Sequence, residues 1–214
     1  MKRIFTSALL IAGLAVSKAN AQQGLSLSIK GTPQFSFLQN KDDNNNINYN
    51  RKATFNASFG LGADYGFNNH FGVGIDALYS LQGQRYNLNN IEYNQKVDYL
   101  KVPVYFTYNS DASKAISFIG KIGPQVSFVT DSKLNGNKTD QDTKNRYNTA
   151  TFGGVAVAGA QYKIATQIFL TTAARFDYDF TNAEDDKYSG YTTGRAKTHN
   201  STIGMEVGLK YMIN

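Results

Sequence analysis

The stretch that decides the fold is Ala53-Thr54-Phe55-Asn56-Ala57-Ser58-Phe59-Gly60-Leu61-Gly62-Ala63-Asp64-Tyr65. Its odd positions are apolar and its even positions are polar or glycine. Period two sends the two sets to opposite faces of an extended strand. The run is long for a soluble sheet, where strands of about 5–6 residues are usual. A tilted strand that crosses a bilayer needs about 9–11.

Working outward, the same alternation recurs on both sides. Apolar residues take the odd positions over 25–37, 71–81 and 203–213, and the even positions over 100–108, 116–128 and 168–180. The segment 152–162 carries Gly, Ala and Val on both parities, and its even positions are taken as the apolar face. Short links join the segments near Asn68-Asn69, 109–114 and 163–166, and long polar loops near 39–52, 83–96, 129–149 and 181–200. All long loops therefore fall at one end. The reading is all-β: an eight-stranded antiparallel up-and-down transmembrane β-barrel, with short turns at one end and long loops at the other.

Aromatics give a second line of argument. Tyr65, Tyr108, Tyr162 and Tyr211 end strands at the short-turn end, while Phe35, Phe37, Phe55, Tyr79, Phe128, Phe152, Tyr178 and Phe180 lie toward the long loops. Two bands at two heights are what the aromatic girdles of a membrane barrel require. A soluble barrel binding a small apolar ligand would fill its inside with rings instead.

Composition fits this reading. The 214 residues are 41% hydrophobic, 13% aromatic and 18% charged, with 19 Gly and only 3 Pro. The absence of Cys removes disulfides, thiolate metal sites and Cys nucleophiles. The first 21 residues read as a secretory signal peptide: Lys2 and Arg3, an apolar run Ile4 to Val16, then Ala19-Asn20-Ala21 as cleavage site. The barrel domain is then 22–214, with no further domain expected after it. Lys2, Arg3 and Lys18 leave with the leader, so 19 basic residues face 16 acidic ones, a net charge of +3. The basic pI near 9.3 is thus no footprint of nucleic-acid binding.

Tyr99-Leu100-Lys101-Val102-Pro103-Val104-Tyr105-Phe106 resembles the fourth-strand motif of the outer membrane protein β-barrel domain family of Bacteroidetes, the PorT-like group. Ala173-Ala174-Arg175-Phe176-Asp177-Tyr178 resembles its seventh strand with an inward Arg, and Ala160-Gln161-Tyr162-Lys163 is similar to the end of its sixth. The resemblance covers about residues 24–213. It implies the outer membrane of a Gram-negative cell and, for a subset of members, a part in protein secretion. Met212-Ile213-Asn214 departs from the family's terminal aromatic residue, with Tyr211 the nearest substitute.

Few residues offer chemistry. His70 and His199 fall at opposite ends of this topology, too far apart for one metal or triad. A lipid-modifying enzyme would need nucleophile, base and acid within hydrogen-bond reach. Ser201, Thr202, His199, Glu184, Asp185 and Asp186 share one loop region, but no spacing demands a triad. Asp42-Asp43-Asn44-Asn45-Asn46-Ile47-Asn48 could offer oxygens to Ca²⁺, without EF-hand spacing. No catalytic residue, cofactor or metal is expected. Pro33, Pro103 and Pro124 fall inside strands, so bulges or rim positions are expected there; on this reading a mid-strand proline without a bulge means that the register is wrong.

With the apolar parity toward lipid, the other parity points inward. That puts Lys30, Asp64, Asp76, Lys101, Lys121, Arg175, Asp177, Asp179, Glu206 and Lys210 in the lumen, five charges of each sign. An eight-stranded barrel is just wide enough for side chains to fill. The expectation is a packed polar network centred on Arg175, with Asp76 or Glu206 as partner, and no open pore. The expected role is structural or partner-binding through extracellular loops. Partners are outer-membrane lipid and an envelope or extracellular protein. A secretion or envelope-assembly component is the alternative.

Overall fold

The computed structural model describes residues 24–45, 50–88, 91–111, 113–136 and 139–213. The leader, residues 46–48 of the acidic loop and Lys138 lie outside the described residues.

Eight strands close into a ring: β1 (Gly24–Gln39), β2 (Asn50–Gly66), β3 (Phe71–Leu88), β4 (Ile91–Asn109), β5 (Ile116–Gly136), β7 (Ala150–Lys163), β8 (Ile168–Asp179) and β9 (His199–Met212). Each pairs antiparallel with its neighbours, and β1 meets β9 to shut the barrel, with Ile29 opposite Leu209. A short β6 (Thr139–Asp142) pairs, among the described residues, with β5 alone, outside the ring. A five-residue helix, α1 (Lys41–Asn45), follows β1.

The burial pattern is that of a soluble protein turned inside out. Ile122 is 64% exposed and Phe55 63%, whereas Arg175 is 2% and Glu206 3% exposed. A continuous wall of exposed Phe, Ile, Leu and Val far exceeds the apolar patch, a few hundred Å² at most, that a water-soluble monomer tolerates. It matches the hydrocarbon band of a bilayer. Rings pack along both rims of that wall. Phe71 stacks on Phe106 at 5.6 Å toward the short turns, and Phe35 meets Phe55 edge-on at 5.3 Å toward the loops.

Two expectations need correction. Residues 83–88 and 91–96, expected in a loop, are strand instead, belonging to β3 and β4, with Gln84 paired to Gln95 and Tyr86 to Tyr93. Likewise β5 extends to Gly136, and β2 starts at Asn50. The apolar alternation stops at the membrane edge, but the ladder does not; beyond lipid both faces can be wet, so no parity is imposed. At about 3.3 Å per residue and a tilt near 45°, the 21 residues of β5 rise roughly 50 Å, twice the apolar band of about 25 Å.

The prolines are the second correction. Register shifts fall between Ala53 and Ser58 of β2 and between Asp98 and Tyr99 of β4, away from all three. Each proline instead sits mid-strand where one ladder omits two pairs without changing register. The β1–β9 ladder passes from Gly31–Val207 to Gln34–Gly204 around Pro33. Those of β3–β4 and β4–β5 do the same around Pro103 and Pro124. A missing N–H costs a local pair, and the strands on both sides hold the alignment.

Candidate functional site

The inward parity of β1, β3, β4, β8 and β9 delivers long side chains to one level of the lumen. Arg175 is their hub. Its Nε and Nη2 grip both oxygens of Asp177 at 3.0 and 2.8 Å, and its Nη1 lies 3.0 Å from Glu206. The same Nη1 donates to the Tyr105 hydroxyl at 2.8 Å, and that hydroxyl donates to Asp76 at 2.7 Å. Lys30 Nζ closes the cluster, 2.7 Å from both oxygens of Asp76 and 3.8 Å from Glu206. Lys101 lies 3.8 Å from Asp177, which also accepts from Thr202 at 3.0 Å. Arg175 is 3.9 Å from Asp76, so the direct link there is weak and Tyr105 supplies the bridge.

Space for these long chains comes from glycines on the same face. A Cβ on Gly62 would strike Asp76 Oδ1 and lie 2.7 Å from Ser28 Oγ. Glycine is the one residue that leaves room for the Lys30–Asp76 pair.

Toward the short turns lie Lys121, 2.9 Å from Asp64, and Lys210, which donates to Gln161 at 2.6 Å. They line an inlet of about 90 Å³ whose walls also include Lys30 and Glu206. Toward the loops, Asp179 accepts from Thr151 at 2.8 Å and Asn200 at 3.2 Å. Neutral groups follow: Gln34 donates to Ser80 at 2.9 Å, and Gln95 to Ser132 and Thr143, each at 2.9 Å. Leu38, Val97, Tyr99 and Val129 form an apolar layer at this end, with Tyr147 packed against it. Tyr99 satisfies its hydroxyl by accepting from Asn200 at 2.6 Å.

Outside that layer the loops are cross-linked. Arg195 holds Glu184 through Nε at 2.8 Å and Asp43 through Nη1 and Nη2, both at 3.0 Å. Burial alone would lower its pKa, but the hydrogen bonds it donates to Glu184 and Asp43 outweigh that and raise it above its ordinary range. Asp42 accepts from the Ala196 N–H at 2.7 Å. Both carboxylates of the acidic loop therefore serve the loop between β8 and β9. Among the described residues no group of three His, Cys, Asp or Glu is placed to hold a metal. Sequence reasoning passed over Arg195, whose partner Asp43 is remote and lies in no periodic segment.

The two histidines stand at opposite ends. His70 Nδ1 lies 3.1 Å from the Asn109 carbonyl in a short turn, while His199 stacks on Tyr178 at 5.6 Å with its Nδ1 3.0 Å from the Asp179 carbonyl. Ser201 Oγ accepts from Gln39 at 3.0 Å, and Thr202 donates to Asp177. These contacts turn both hydroxyls to partners other than His199.

Comparison with solved structures shows the fold. OprG from Pseudomonas aeruginosa aligns over 90% of this chain and 97% of its own, at 12% identity and a TM-score of 0.52. Neisserial surface protein A aligns over 92% and 100%, at 10% identity and 0.50. AlkL, an outer membrane protein solved in DMPC lipid bilayers, aligns over 93% and 94%, at 10% identity and 0.50. Identities this low carry fold and not activity. No curated protein sequence matches the chain. At the level of sequence, residues 20–185 match the family described as outer membrane protein beta-barrel domain. With its closed ring of eight strands, apolar outside and charged within, the chain belongs to the outer membrane protein beta-barrel domain family.

Proposed function

We propose that the chain is a closed, non-conducting outer-membrane barrel that turns its long-loop end outward and presents it to an envelope or extracellular partner. The observation that carries this is a double closure of the lumen. The apolar layer of Leu38, Val97, Tyr99 and Val129 lies over the ion-paired cluster around Arg175. An ion crossing that cluster would have to unpair buried charges, at a cost of several kcal/mol.

Three further observations support details of the reading. Ser201 and Thr202 are engaged by Gln39 and Asp177, which favours a non-catalytic role. The segments Tyr99–Phe106 and Ala173–Tyr178 favour the PorT-like group of Bacteroidetes. The basic, apolar and small-residue order of residues 1–21 favours export by a leader cut after Ala21.

Planar-bilayer recording tests the closure. The purified monomer should give no steady ion conductance. Stable open channels would overturn the reading.

A further inference from the structure

The loop end of the barrel carries a cup of about 470 Å³, walled by Tyr86, Tyr147, Tyr188 and Tyr191 and by Arg146 and Arg195. We propose that this cup binds a neutral oligosaccharide. The proposal rests on the partner-presenting reading above and names the chemistry of one partner.

Size comes first. Small-molecule sites run from about 300 to 1,000 Å³, so this cup is of ligand size. Its walls come next. Tyrosine presents a flat apolar face and a polar tip. A sugar ring has the matching form: C–H groups on its faces and hydroxyls around its edge. The lining open to a ligand is mostly polar, with Tyr147 packed on the Leu38 cluster and Arg146 lying over Tyr188, so a hydroxyl-rich ligand is favoured over a greasy one.

Charge decides the class. Two arginines face Asp43 and Glu184 in the same cup, so the formal charges cancel. Arg195 is already held by both carboxylates. A sulfated or phosphorylated ligand at Arg195 would have to compete with them, and a cation would have to displace Arg195. Arg146 lies with its guanidinium carbon 5.7 Å from the Tyr188 ring centroid. A polyhydroxylated neutral ligand can donate to the carboxylates and accept from the guanidinium groups without breaking either set.

Preorganisation is the last element. Thr198 donates to Glu184 at 2.8 Å, and Asn148 donates to the Glu184 carbonyl at 2.9 Å. Walls that are already fixed lose little freedom when a ligand arrives.

The test uses the full barrel purified in a detergent without a sugar head group. A glycan array of neutral hexose and N-acetylhexosamine oligosaccharides, with sulfated oligosaccharides as the charged control, identifies a ligand, and calorimetry measures it. Saturable binding of a neutral glycan is expected, weakened tenfold or more by Tyr188→Ala while the variant keeps its heat-modifiable migration on gels. Repeating the titration in vesicles with and without lipopolysaccharide separates sources. A drop in apparent affinity with lipopolysaccharide assigns the sugar to the outer leaflet; an unchanged affinity assigns it to a soluble glycan. The proposal is overturned if no neutral glycan binds, if sulfated glycans bind more tightly, or if Tyr188→Ala binds as well as the parent. Steady conductance would instead overturn the closed-barrel reading, so the two fail separately.

Discussion

The Tyr105 hydroxyl joins Arg175 to the opposite side of the lumen: it accepts from Arg175 Nη1 at 2.8 Å and donates its own hydrogen bond to Asp76 at 2.7 Å. A phenol thus links the β8 cation to the β3 anion, which lie 3.9 Å apart at their nearest. Charge pairs on three walls become one cluster through it.

The two residues should differ in what their removal costs. Arg175→Ala leaves Asp177 and Glu206 buried without their principal partner, and about 3–5 kcal/mol of stability should be lost. Tyr105→Phe removes one hydroxyl but leaves Arg175 bound to both carboxylates, so a loss of about 1–3 kcal/mol is expected. Urea unfolding in lipid vesicles measures both. Equal losses would show that Arg175 is not the hub.

Gly62→Val should destabilise the barrel through a clash. The added carbons enter the space of Asp76 Oδ1 and Ser28 Oγ, forcing Asp76 away from Lys30. Overpacking of this kind costs about 1–3 kcal/mol. Gly31→Ala is the matched control, since nothing lies within 4 Å of its Cβ. A lowered unfolding temperature in the first and none in the second is the expected pair of results.

Arg195→Ala should loosen the loop end without opening the barrel. It unties α1 from the β8–β9 loop, where Lys187 is exposed. Trypsin added to intact cells should cut after Lys187, faster in the variant. Lys133 is a poorer site than its charge alone implies, because it is paired in strands to Lys96 and Asp142. Cleavage only after the outer membrane is breached would place the loops on the inner side.

In the turn between β4 and β5, the Ser113 hydroxyl and N–H hold the Asp111 carboxyl below its ordinary pKa, the N–H at 3.0 Å. The folded value is depressed, so this contact contributes above the unfolded value of about 3.9 and fades as pH falls through the folded one. Ser113→Ala should move the Asp111 titration upward, read by carboxyl NMR.

How much of this was legible in the sequence depends on periodicity. Parity alone separates Phe55 and Leu61 from Asn56 and Gly62, because a bilayer outside and side chains inside impose opposite demands on alternate residues. Where that demand ends the signal ends too, and Gly83 to Asn87 read as loop although they pair through to Glu92. Pairing within the lumen is less legible. Spacing names Asp76 and Glu206 for Arg175 and passes over Asp177, although a residue two positions along a strand shares its face. Tyr105 lies on the same inward parity, but as an aromatic it carries no charge to attract notice. The Arg195–Asp43 contact joins residues 152 apart in segments with no period, and only the closed ring brings them together.

The glycine-cleared pair of Lys30 and Asp76 has a bearing on how such a chain enters a membrane. Lys30 sits on the first strand, and its other anion, Glu206, on the last. Arg175, which shares Glu206, is on β8, the seventh of the eight wall strands. A sheet that has not yet met its own far edge therefore carries unmatched cations and anions on one face. Nonpolar surroundings would reject that face until the outer strands join. Completion of the ring and neutralisation of its interior are then one event, and a half-built intermediate is penalised by its own charges.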